Sequence, residues 1–152
     1  MTRPLLLLPD HVVTMDDDLT VLSGVGILVV GDTITEVGDG KDLRVRHPDA
    51  EMVDLPDRLV MPGLVNAHHH SGMLRGTAEH LPVWEWLRLR LHIDPMHRVL
   101  KPEEAEAAAW LCYAEGLLSG TTTVVDMWRY MDGAARAAEA LGNRVVTVNY
   151  VG

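Results

Sequence analysis

The chain has 152 residues, of which 47% are apolar and 23% charged, values that suit an ordinary globular domain. Its formal net charge of −9 argues against nonspecific binding to nucleic acid or to anionic membranes, both of which call for a basic surface. A single cysteine, Cys112, excludes an intrachain disulfide, and the apolar run at 5–8 is too short for a signal-peptide core or a membrane span, so the protein reads as cytoplasmic.

Residues 1–60 read as short strands joined by turns. A strand is expected at 11–15, followed by an acidic turn at 16–18 that reads as solvated rather than as a cation site. Segments 26–30 and 33–37 flank Gly31-Asp32, a two-residue hairpin connection. Ile34 and Val37 suit a partly buried strand. A short helix is expected at 41–47, broken by Pro48. Pro62-Gly63 then punctuates the chain, and Leu64, Val65 and Ala67 make the next strand apolar on both faces, as in a buried parallel sheet. The clearest helix is Pro102–Leu118: Pro102 suits its first turn, Glu103, Glu104 and Glu106 complement its dipole, and Trp110, Tyr113, Leu117 and Leu118 lie near one packing stripe. Ser119-Gly120 ends it. A strand at 121–126, an Ala-rich helix at 133–141 closed by Gly142-Asn143, and a third strand at Arg144–Asn149 complete a βαβαβ order, which implies a parallel sheet with right-handed crossovers.

The chemistry concentrates at His68-His69-His70, directly after the apolar segment. If that segment is a regular strand, His68 and His70 point to one face and His69 to the other. Two imidazoles at a strand end can hold one metal ion, while the second nitrogen of each ring takes an orienting partner. The competing reading of the triplet alone is a chance surface run.

The string Met61-Pro-Gly-Leu-Val-Asn-Ala-His-His-His70 resembles the opening of the catalytic barrel in the amidohydrolase superfamily. It is most similar to the branch of cytosine, guanine and adenosine-type deaminases and triazine chlorohydrolases. Asn66 is typical of that branch; the dihydropyrimidinase branch carries Asp there. Segment 29–38 resembles the family's N-terminal hairpin, 52–62 its return to the barrel, and Ser119-Gly-Thr-Thr-Thr-Val-Val-Asp-Met127 its second barrel strand. The resemblance implies an α/β fold: a partial (β/α)8 TIM barrel, first strands only, at 61–152, preceded at 1–60 by the N-terminal part of a small composite β-sandwich. It implies that His68 and His70 are ligands of one divalent metal ion, zinc first and iron second. A hydroxide generated from the metal's water would then displace ammonia or another leaving group from a ring carbon of an N-heterocycle such as a purine, pyrimidine or triazine. It also implies a small-molecule substrate and a homo-oligomeric full-length enzyme, with no membrane or nucleic-acid partner.

A complete barrel takes roughly 250 residues, and the roughly 80 that follow His70 hold two βα units and a third strand. In the family the remaining ligands are histidines from the fifth and sixth strands and an aspartate from the eighth, so the chain looks like the N-terminal third of a larger enzyme. No catalytic acid or base is assigned within it. The alternative is a noncatalytic remnant or assembly fragment that folds only with a complementary chain.

Around the barrel mouth, Trp86 either walls the substrate pocket or, with Trp84, anchors a local helix. Arg75 reads as a loop ion pair, and His80, His92 and His97 as loop histidines. His69 reads as structural, Cys112 as packing, and Asp126 as a structural hydrogen-bond acceptor on the active face in preference to an orienter of a ligand. Adenosine-type deaminases of the branch place a glutamate shortly after the Trp-Leu pair. Here that stretch is Leu91-His-Ile-Asp-Pro-Met-His97, which turns the expectation from nucleosides toward free heterocycles.

Overall fold

The computed structural model describes residues 3–72, 81–82, 84–85 and 100–149. The chain divides into two units, Met1–Pro62 and Gly63–Gly152.

The N-terminal unit is built around β1 (Leu5–Val13). One edge of β1 is filled by β5 (Glu51–Val60), which runs parallel to it from Leu5↔Glu51 to Val12↔Val60. The register shifts between Pro9 and His11, where proline has no N–H to give to a ladder. The other edge is shared. β3 (Val25–Val30) pairs with Leu5–Leu7, and β2 (Val21–Ser23) pairs with His11–Val13, both antiparallel. β4 (Thr33–Asp39) lies outside β3, across a hairpin whose first turn residue, Gly31, has φ +66°, as a II′ turn demands. Helix α1 (Gly40–Arg46) starts where the Asp39 carboxylate accepts from the backbone N–H groups of Lys41 and Asp42 at 3.0 and 2.9 Å. It delivers Leu43 into a core with Leu6, Leu28 and Ala50.

Three features differ from the sequence expectation. The apolar run at 5–8 is the first half of β1, and Leu6 is fully buried. Strand β5 was unmarked because it carries Pro56 and alternates little, yet pairing with β1 holds it. Ile34 and Val37 are exposed rather than partly buried, because the core forms where α1 covers β1 and β3.

The C-terminal unit is a parallel sheet in the order β6 (Leu64–His69), β7 (Thr121–Trp128), β8 (Arg144–Asn149). Helix α2 (Pro102–Leu118) joins the first pair and α3 (Met131–Leu141) the second. On β7 the side chains of Val124, Asp126 and Trp128 are buried on the side of the helices, as period-two alternation dictates. They meet Ala109 and Tyr113 of α2 and Met131, Ala134, Ala137 and Ala138 of α3. The small residues let the helices close on each other, so that a Cβ added at Gly133 would stand 2.8 Å from that of Glu106. Thus the buried stripe of α2 is Ala105, Ala108, Ala109 and Tyr113, while Trp110 and Leu118 face outward. The helix is apolar around most of its circumference, and periodicity could not choose its face. Gly142, left-handed, closes α3, with the Asn143 N–H donating to the Ala138 carbonyl at 2.9 Å. On the opposite face of the sheet Val65, Val146 and Val148 are exposed. Among the described residues no helix is long and apolar enough to cross a membrane.

Candidate metal centre

The site forms where β6 ends. Its first residues are held tightly to β7: the Leu64 N–H donates to the Gly120 carbonyl at 2.8 Å, and a Cβ at Gly63 would lie 2.1 Å from the Thr122 hydroxyl. The register then slips. Asn66 pairs with Val124 but His69 with Asp126, so β6 carries one extra residue over that interval, a bulge. The Asn66 side chain supports it, its Oδ1 accepting from the His68 N–H at 3.2 Å and its Nδ2 lying 3.5 Å from His69 Nδ1.

Past this bulge the rings of His68 and His70 come together, centroids 4.8 Å apart and nearly perpendicular at 85°. Two imidazoles sharing one zinc ion stand at most about 6 Å apart, from N–Zn bonds of about 2.1 Å plus roughly 1 Å from each nitrogen to its ring centre. The spacing of the pair is therefore within the reach of one shared ion. Its orientation is also fixed. His70 Nδ1 lies 2.7 Å from the Met127 carbonyl oxygen. A carbonyl can only accept, so Nδ1 carries the hydrogen and Nε2 the lone pair that a metal requires. His70 also lies against the Trp128 indole, at 5.8 Å between centroids.

His69 sits apart from this pair. Its ring is half-buried beside Tyr113, 6.2 Å between centroids. Burial holds its pKa below the ordinary histidine range, partly offset by the nearby Asp126. Asp126, expected as a structural hydrogen-bond acceptor toward the active end of its strand, has its side chain on the helix side of β7, where α2 and α3 cover that parity of the strand. It is fully buried, its Oδ1 accepting from the Ser71 N–H at 3.1 Å and its Oδ2 from the Tyr113 hydroxyl at 2.6 Å. Cys112 is half-buried and donates through Sγ to the Ser71 carbonyl at 3.1 Å.

Neither the Met127 carbonyl nor the Tyr113–Asp126–Ser71 chain was anticipated. A backbone carbonyl carries no sequence signal, and Tyr113 sits in a stripe that reads as plain core. Among the described residues no cluster of three or more His, Cys, Asp or Glu side chains is placed to hold an ion. Trp86, Arg75, His80, His92, His97 and the stretch 91–97 lie outside the described residues; Trp84 is largely exposed.

Comparison with known proteins gives a consistent result. The model of the amidohydrolase family matches residues 59–151, and that of an imidazolonepropionase-like composite domain of bacteria matches 26–50. A 5-methylthioadenosine/S-adenosylhomocysteine deaminase of Nitratidesulfovibrio vulgaris is 40% identical over 148 residues, 95% of this chain and 33% of the relative. A 5′-deoxyadenosine deaminase of Methanosarcina acetivorans is 37% identical over 136 residues, 88% of this chain and 30% of the relative. Among solved structures, an adenosine deaminase from Xanthomonas campestris with bound zinc superposes with a TM-score of 0.82 at 36% identity, covering 93% of this chain and 33% of the other. A zinc-complexed atrazine chlorohydrolase from Arthrobacter aurescens gives 0.81 at 27%, covering 95% and 35%. The chain thus spans about a third of the length of the relatives it matches. Its α/β fold is that of the corresponding third of these structures, and with the family model matching more than half of its residues, the chain belongs to the amidohydrolase family.

Proposed function

We propose that this chain is the N-terminal portion of a metal-dependent hydrolase that removes an amino group, or a halide, from an N-heterocycle. In this reading residues 61–152 are the first βα units of a TIM barrel, and residues 1–60 contribute strands to a small composite β-sandwich. His68 and His70 are two ligands of one divalent ion, zinc in preference to iron. The observation that carries the reading is the His68–His70 ring pair at the end of a parallel strand, with His70 Nδ1 committed to the Met127 carbonyl.

His68 and His70 would hold a divalent ion, which would supply Lewis acidity and so make water a usable nucleophile at neutral pH. The chain's own residues do the holding. The two rings stand 4.8 Å apart beside the bulge at Asn66, the Met127 carbonyl sets the tautomer of His70, and His69 packs beside Tyr113 of α2. Trp86 would wall the substrate cavity as an apolar, flat surface for a heteroaromatic ring. The names of the relatives at 35–40% identity, adenosine derivatives throughout, extend the proposed substrates to aminated purine nucleosides beside free heterocycles. A cytoplasmic location and a homo-oligomeric whole enzyme complete the proposal.

The test uses the full-length polypeptide that carries residues 1–152. Zinc content and ammonia or chloride release are measured across adenine nucleosides, free aminopurines, aminopyrimidines and chlorotriazines. His68→Ala and His70→Ala should each lose zinc and activity, whereas His69→Ala should retain zinc. Zinc uptake unaffected by both His68→Ala and His70→Ala would sink the ligand assignment. A zinc-loaded protein that ignores the whole panel but opens a cyclic amide would overturn the reaction while sparing the site.

A further inference from the structure

We propose that Asp126 and Tyr113 are positioning residues for His70, acting through the backbone of Ser71. The inference rests on the reading of His70 as a metal ligand and adds to it the device that fixes the ligand in place.

The β6–β7 ladder reaches only as far as His69↔Asp126, and it does so through a bulge. The backbone of residues 70 and 71 therefore lies beyond the last paired position, where regular sheet bonds would have fixed it. Side chains take over that task. The Ser71 N–H donates to Asp126 Oδ1, and the Ser71 carbonyl accepts from Cys112 Sγ. Asp126 is in turn held by the Tyr113 hydroxyl through its other oxygen. The next residue of the same strand, Met127, presents its carbonyl to the His70 ring. Two consecutive residues of β7 thus grip His70 twice, one through its ring and one through the peptide that follows it.

Burial makes the arrangement diagnostic. Asp126, Ser71 and Tyr113 are each exposed by 1% or less. A carboxylate in such a place costs stability unless its oxygens are satisfied, and an apolar residue of similar size would fill the same volume between α2 and β7. The polar choice gains directionality: it fixes the Ser71 peptide plane, and with it the direction in which the preceding residue leaves the strand. Burial and the Asp126 contact also push the Tyr113 hydroxyl well above the usual tyrosine range, keeping it a donor at every physiological pH.

The test separates positioning from packing. In the full-length protein, the double variant Asp126→Leu/Tyr113→Phe replaces both side chains by apolar groups of similar size and leaves the buried Ser71 N–H without its acceptor. Its metal-free melting temperature should fall by several degrees with the fold retained, and zinc affinity, measured by chelator competition, should fall about 10- to 100-fold. Asp126→Asn keeps an acceptor for Ser71 and should hold zinc within about threefold of the wild type, a rescue that packing alone would not predict. A folded double variant with wild-type zinc affinity overturns the inference. So does a folded Asp126→Asn that loses zinc as the double variant should, and this arm decides if the double variant does not fold. Wild-type protein that takes up no zinc sinks the metal reading and this inference together; tight wild-type binding with unaffected variants sinks the inference alone.

Discussion

In the N-terminal unit the charged side chains meet at the surface. Arg46 reaches Glu36 and Asp42, and Arg44 reaches Asp54, all substantially exposed. In the C-terminal unit the polar contacts nearest the candidate site are inside: Asp126 with Ser71 and Tyr113, and His70 with the Met127 carbonyl. Solvated pairs add little and are screened by salt, so the N-terminal contacts decorate a sheet that already holds together by apolar packing of Leu6, Leu28 and Leu43. A buried polar chain is costly unless every member is paired, so its presence beside the histidines marks a position where geometry matters more than stability. The glycines divide the same way. Gly31 has open space around its missing Cβ and is needed for its backbone angle, whereas Gly72 lies flat against the Trp128 indole, with a built Cβ only 1.5 Å from Nε1.

The steepest way to break this contrast is Gly72→Ala. The indole it would strike belongs to the buried core, so we expect a loss of about 3 kcal/mol or more in denaturant unfolding. Gly31→Ala should cost about 1 kcal/mol, from the left-handed backbone alone. Equal effects would show that the two glycines do the same thing. Next in size is Tyr113→Phe, which leaves a buried Asp126 oxygen without its donor and should cost about 2 kcal/mol near neutrality. Its pH dependence has a defined sign. The folded pKa of Tyr113 is raised, so its contribution is intact below about pH 10 and is lost as pH climbs from there toward the folded value. Urea titrations at rising pH should show the wild type losing its lead over Tyr113→Phe; a constant gap would contradict the buried donor. The smallest effect belongs to Arg46→Ala. Hydrogen bonding to Arg46 depresses the Glu36 pKa, so whatever the pair contributes is present above the ordinary glutamate pKa and fades on acidification through the lowered value. The shift in melting temperature should be the least of the four and should vanish in about 1 M salt.

Much of the C-terminal unit was legible in the sequence because punctuation and chemistry coincide there. Pro102 and Ser119-Gly120 bracket α2, Gly142 closes α3, and the β-branched run 144–149 is β8. The histidine pair was legible too, though for an incomplete reason. Strict alternation predicts that residues 68 and 70 share a face, whereas a bulge at Asn66 intervenes and a carbonyl of the neighbouring strand completes the orientation. Bulges and carbonyl positions follow from pairing between strands some fifty residues apart, which local pattern does not encode. The side of β7 on which Asp126 falls was likewise unreadable, because it depends on where the helices pack. In the N-terminal unit β2 and β5 escaped notice for the same reason: β2 is three residues long, β5 contains proline, and each exists because β1 offers it an edge.

Strand β7 is paired on both edges, with β6 on one side and β8 on the other. Its amide hydrogens point alternately to the two edges, so complete exchange of the strand requires both ladders to part, an opening that approaches unfolding of the whole unit. The Ser71 peptide, held by the Asp126 side chain, is thereby tied to this doubly paired strand. In a deuterium-exchange experiment the amides of Val124 to Trp128 should be among the last of the described residues of this unit to take up label, and the Ser71 amide should follow their time course.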